Sequence, residues 1–195
     1  MLLQRAGSGT VPPATVVPDW ETLAKVWDAE VRATSKAPAV VRIGPSELTI
    51  GHDDFEAEDA SAPEEWQLSY EFGWDNEHPK RSVSIGSVDI STLPITNGDY
   101  LAFLSKQSRL GQSDLPAGWV RVNDEIQVRT LYGPVGFHVA KHWPLAASYD
   151  EVADYARAQG GRLPTDAELV AFRDQCDGTS VGLGSFGYQN WHYIP

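Results

Sequence analysis

Apolar positions along this chain change period several times, and each change predicts an element. From Asp19, an N-cap residue type, Trp20, Leu23, Trp27 and Val31 fall at i, i+3, i+7 and i+11, the stripe of an amphipathic helix. Val40 to Ile43 and Ser46 to Ile50 flank Gly44-Pro45 and predict two short strands about a turn. From Ser82 the pattern alternates, setting Val83, Ile85 and Val88 inward. Trp119 to Pro134 reads as a hairpin, with Asn123-Asp124 supplying the turn.

Three further helices announce themselves by a hydroxyl residue followed three positions later by an acid, the reciprocal capping signal. Thr96 and Asp99 open a helix whose Tyr100, Phe103 and Leu104 share a face. Ser148 and Glu151 open one that runs to Gln159 and ends at Gly160-Gly161, and Thr165 and Glu168 open another running toward Gln175. Helix, short strands, helix, hairpin, helix, helix, then a glycine-rich aromatic tail from Gly178, is the order of an irregular α+β domain. The expected core holds Trp74, Val83, Ile85, Tyr100, Phe103, Leu104, Tyr155 and Leu163. Residues 1–18, rich in small residues and proline, read as linker, 19–36 as a helix preceding the domain, and 37–195 as the domain itself.

Composition narrows the function classes. With 195 residues the chain holds one ordinary domain, and 42% hydrophobic residues with seven tryptophans suffice for a core. Fifteen basic against 27 acidic residues give a net charge of −12, which repels phosphate backbones and anionic lipid, so nucleic acid and membrane are not expected partners. No apolar run reaches the length of a membrane span, and Met1-Leu2-Leu3-Gln4-Arg5 is charged too early for a signal peptide. A cytoplasmic location follows as the expectation, in keeping with the single cysteine, Cys176.

Candidate chemistry is sparse. His138 and His142 lie four apart, the spacing at which two rings on a helix chelate one ion. Gly136 before them and Pro144 after them predict non-helical chain instead, and in a strand the rings would stand roughly 13 Å apart. No metal site is expected. The acidic run from Asp53 to Asp59 lacks the glycine-pinned spacing of a calcium loop and reads as a solvated charge run. Asp174 and Asp177 beside Cys176 disfavour a thiolate nucleophile, and no serine sits in a nucleophile elbow.

Three segments together resemble one family. Phe72 to Arg81 (FGWDNEHPKR), Leu93 to Tyr100 (LPITNGDY), and Tyr149 to Ala156 followed by Gly160 to Glu168 (GGRLPTDAE) are similar to the sulfatase-modifying-factor domain, which formylglycine-generating enzymes share with ergothioneine-pathway sulfoxide synthases. Thr49 to Asp54, Val128 to Pro134, Trp143 to Tyr149 and Gly187 to His192 resemble the second group, in its fungal members. The resemblance implies a C-type-lectin-like fold. It also implies chemistry in which iron(II) and oxygen join a thiol compound to trimethylhistidine as a sulfoxide.

The departures from that family carry their own expectations. Its iron ligands include a His-x-x-x-His-x-Glu motif just upstream of a Met-Leu-Leu-Gln segment, and here Met1-Leu2-Leu3-Gln4 begins the chain. At the other end the chain stops at Pro195, before a Gly-x-Val-Trp-Glu-Trp stretch. The expectation is a domain incomplete at its C-terminal end and, without the iron-ligand bundle, inactive alone, with no catalytic residue and no cofactor of its own. Tyr188, Asn190, Trp191 and His192 are the candidate substrate wall, because a tryptophan face attracts a trimethylammonium group. The alternative is a non-catalytic binding or accessory protein on a lectin-like scaffold. One cysteine cannot provide the copper-binding pair of formylglycine-generating chemistry.

Overall fold

The computed structural model describes residues 17–34, 40–52 and 75–176. In chain order these form helix α1 (Trp20–Thr34), strands β1 (Val40–Ile43) and β2 (Ser46–Ile50), a 3-10 turn (Asp75–Glu77), β3 (Arg81–Ile85), β4 (Val88–Ser91) and helix α2 (Asn97–Lys106). A second 3-10 turn (Gln112–Asp114), β5 (Trp119–Val122), β6 (Glu125–Thr130), β7 (Gly133–Gly136), α3 (Phe137–Ala140), α4 (Tyr149–Ala158) and α5 (Asp166–Cys176) follow. Helices and strands mix without a regular strand-helix-strand alternation, as the α+β reading expects.

The chain divides into two compact units. The first gathers α1 with residues Ser91–Leu163, and the second gathers Val40–Ile90 with Pro164–Thr179. In the first, β5, β6 and β7 make a three-stranded antiparallel sheet in which Trp119 faces Val128 and Val128 faces Val135. Its core joins Ala24 and Trp27 of α1, Tyr100, Phe103 and Leu104 of α2, Trp119, Val128 and Val135 of the sheet, and Val139, Ala140 and Trp143. Helix α1 therefore contributes to the core of this unit.

In the second unit β1 pairs with β4, and β2 pairs antiparallel with β3, Ser46 facing Ile85 and Ile50 facing Arg81. Ala167 and Ala171 of α5, four apart and so on one face, are buried with Ile43, Ile85 and Ile90. Their small side chains let the helix axis approach the strands closely. Arg42 and Asp89 clasp β1 to β4 with two contacts of 2.7 Å, on a face open to water where such a pair contributes little. Gly44, between β1 and β2, has φ +74°, and a Cβ there would stand 2.8 Å from the Gly86 carbonyl oxygen. Only glycine fits that turn without strain.

The local signals act as their chemistry requires. Asp99 N–H donates to Thr96 Oγ1 at 3.2 Å while Thr96 N–H donates to Asp99 Oδ2 at 3.0 Å, and Ser148 with Glu151 repeats the exchange at 3.4 and 2.7 Å. Glu168 N–H donates to Thr165 Oγ1 at 3.3 Å and Thr165 N–H to Glu168 Oε2 at 2.7 Å, so three helix starts have orphan donors satisfied by side chains. Helix α4 stops where Gly160 turns left-handed at φ +78°. Asn123 and Asp124, at φ 49° and 67°, form the turn between β5 and β6.

Three expectations need correction. The hairpin has a third strand, because Pro134, read as its end, sits in β7, which among the described residues is an edge strand paired with β6 and can tolerate a missing N–H. The chain at His138 is helical for one turn: Pro134 lies upstream of the helix start, and Pro144 restrains only the residue before it. Of the expected core, Ile85, Tyr100, Phe103 and Leu104 are buried, whereas Val83, Tyr155 and Leu163 are half-buried and Trp74 lies outside the described residues. Tyr155 packs its ring on Tyr100 and Phe103, at centroid distances of 6.0 and 5.3 Å, with part of it left to solvent.

Candidate functional site

Five side chains of the first unit, Glu21, Asp28, His138, Lys141 and His142, meet where α1 packs on α3 and the residues after it. Helix α1 opens with Asp19, whose carboxylate accepts from Thr22 N–H at 3.1 Å and Thr22 Oγ1 at 2.7 Å. One face of the helix carries Trp20 and Trp27, which both pack on buried Trp143 at centroid distances of 5.7 Å. The neighbouring row carries Glu21 and Asp28. Glu21 Oε1 lies 2.9 Å from His138 Nε2, and Asp28 Oδ1 lies 3.1 Å from His142 Nε2 and 3.0 Å from Lys141 Nζ.

Lys141 follows the last residue of α3 in right-handed helical conformation, and its backbone N–H closes the turn on the Phe137 carbonyl at 2.9 Å. Gly136 precedes the turn, and a Cβ there would stand 2.8 Å from His138 Nδ1, so the absent side chain leaves room for the imidazole. The Lys141 ammonium, with help from His142, holds the Asp28 carboxyl below the usual carboxylate range. A depressed carboxylate pKa adds stability above the ordinary carboxylate range, and that stability is lost as pH falls through the depressed value. Thermal melts from pH 6 to pH 3 should therefore show the parent losing more stability than Asp28→Asn; parallel curves would contradict the contact.

Beside His138 opens a cleft of about 520 Å³, lined by Leu101, Leu110, Ile126 and Phe137 as its apolar wall and by Ser105 and Arg121. Arg121 is not available to an anionic ligand in this cleft, since its guanidinium donates to the carbonyls of Leu110 at 2.6 Å and Asp124 at 2.9 Å. The guanidinium instead ties the hairpin turn to the chain that follows α2.

No motif in the sequence marks Glu21 and Asp28, although their spacing of seven on an amphipathic helix places them on one face. The rings of His138 and His142, spaced as metal ligands, each meet a different carboxylate. Among the described residues no group of three or more His, Cys, Asp or Glu could hold a metal ion. The candidate wall residues Tyr188, Asn190, Trp191 and His192 lie outside the described residues. Among the described residues no helix is long and apolar enough to cross a membrane.

Residues 27–179 match the family described as the sulfatase-modifying factor enzyme 1-like domain. The chain is 34% identical over 151 residues to ergothioneine biosynthesis protein 1 of Schizosaccharomyces pombe, covering 72% of this chain and 19% of that protein. It is 31% identical over 207 aligned positions to ergothioneine biosynthesis protein 1 of Neurospora crassa, covering 89% of this chain and 22% of that protein. The chain thus spans about a fifth of the length of these curated relatives.

Proposed function

The chain belongs to the sulfatase-modifying factor enzyme 1-like family, and from that membership we propose that it serves ergothioneine biosynthesis as the sulfatase-modifying-factor portion of an iron(II)-dependent sulfoxide synthase. In this reading residues 37–195 form a C-type-lectin-like domain on which α1 is docked. The breadth of the match to two ergothioneine biosynthesis proteins carries the proposal.

Iron(II), when bound, would supply the oxygen activation that ordinary side chains lack. The described residues do not fit it. His138 and His142 are held by separate carboxylates, the Lys141 ammonium stands beside Asp28 and would repel a cation, and the residue two after His142 is Pro144, which offers no ligand. We therefore assign this chain to substrate contact, with trimethylhistidine or its thiol partner as ligand. Tyr188, Asn190, Trp191 and His192 are the proposed wall, since an indole face attracts a quaternary ammonium by about 0.5–2 kcal/mol.

Two experiments test the assignment. The purified chain supplied with trimethylhistidine, cysteine, iron(II) and oxygen should yield no sulfoxide by mass spectrometry, and turnover would overturn the division of labour. Substituting residues 37–195 for the aligned stretch of the Schizosaccharomyces pombe protein should leave ergothioneine production in that yeast intact. An abundant, folded chimera that makes none would reject the domain assignment.

A further inference from the structure

Helix α1 contains a repeated dipeptide, Trp20-Glu21 and Trp27-Asp28, an aromatic followed by an acid, seven residues apart. Seven residues are two helical turns, so each half of the repeat presents the same face. Both tryptophans pack on Trp143, and the two acids meet His138 and His142, so each half makes one apolar and one polar contact with the same short segment. We infer that His138 and His142 are a two-point clasp that fixes helix α1 on the first unit, and that their metal-like spacing serves this docking and not metal binding.

The geometry separates the two roles. A metal ion needs both imidazole nitrogens at about 2.0–2.1 Å from one centre. Here each Nε2 instead lies within 3.1 Å of its own carboxylate, and those carboxylates belong to residues two turns apart. Capturing one ion would require both rings to leave α1. Two separated polar contacts, unlike one, resist both sliding and rotation of a helix, which the less directional contacts among tryptophans restrain weakly. Lys141 reinforces the second point, placing its ammonium 3.0 Å from the Asp28 oxygen that also faces His142. The first point is the more exposed, with side chains 62% and 71% accessible against 30% and 31% at the second, so the second should dominate. The matched family region begins at residue 27, so the Trp20-Glu21 half lies before it and still packs on the same unit.

Hydrogen exchange on the full chain, at one fixed pH and without added metal, tests the clasp. Asp28→Asn and His142→Ala should each speed exchange of the α1 amides roughly two- to five-fold, leave the β5 to β7 amides unchanged, and combine in the double variant to less than the product of the single effects. Glu21→Gln and His138→Ala should act in the same direction and more weakly. A zinc titration of the parent should show no stoichiometric binding. Unchanged α1 exchange in both second-point variants, fully multiplicative effects in the double variant, or one equivalent of zinc bound by the parent and lost in His142→Ala would each overturn the inference.

Discussion

Replacing Trp143 with alanine is expected to lower the stability of the first unit by about 3–5 kcal/mol, the range for emptying a buried aromatic site. The residue is fully buried. Trp20 and Trp27 pack against it from α1 at tilted and near-perpendicular angles of 59° and 76°, arrangements that favour ring edges against faces. Its backbone carries a second load: the carbonyl accepts from Asn97 N–H at 3.0 Å, and the N–H donates to the Ala140 carbonyl at 3.1 Å. A truncated side chain leaves a void that two indoles on one helix cannot both fill, so α1 loses its seat while the backbone contacts persist. Urea unfolding followed by tryptophan fluorescence and far-ultraviolet circular dichroism gives the measurement. Trp143→Phe should retain much of the stability, and a loss below about 1 kcal/mol for alanine would show that α1 is not part of this core.

What could be read from the sequence was mostly local. The capping pairs Thr96 with Asp99, Ser148 with Glu151 and Thr165 with Glu168 span three positions each, and the Asn123-Asp124 turn is complete in itself, so neighbours alone decide them. Features that depend on distant partners were hidden. Pro134 looks like a strand end until it is seen at the edge of the described sheet, with β6 on one side. Glu21 looks like an ordinary first-turn acid until His138, 117 residues away, comes beside it. The second unit depends on α5 packing against β1, β2 and β3, with Ala167 and Ala171 in the shared core, a nonlocal pairing that two alanines in a short helix do not announce. Of the site, the spacing of His138 and His142 was visible, but what their rings contact was not.

Asn97 is the clearest case of a residue whose weight only the structure reveals, and its replacement by alanine is expected to cost about 2–4 kcal/mol. In sequence it sits in Thr96-Asn97-Gly98-Asp99 and reads as one polar residue of a helix start. In the fold it is 2% exposed, donates from Nδ2 to the Ala140 carbonyl at 3.0 Å, and accepts at Oδ1 from the Trp119 indole N–H at 3.0 Å. One amide thereby joins α2, α3 and β5. Alanine would strand the buried Trp119 indole N–H, worth about 1–3 kcal/mol when left unmet, and would take one of two donors from the Ala140 carbonyl, which keeps the Trp143 N–H, at a further cost of about 0.5–1.5 kcal/mol. Asn97→Asp separates this network from mere packing, because aspartate keeps the shape and the acceptor but, when ionised, turns an oxygen toward the Ala140 carbonyl. Burial should raise the pKa of that carboxyl. The penalty is then fully present above the raised value and shrinks as pH falls through it, because the protonated acid can donate as the amide does. Denaturant midpoints of parent and Asn97→Asp should converge as pH falls from neutrality toward the ordinary carboxylate range, whereas Asn97→Ala should stay low throughout. A constant gap for aspartate would mean that the Ala140 contact does not carry the effect.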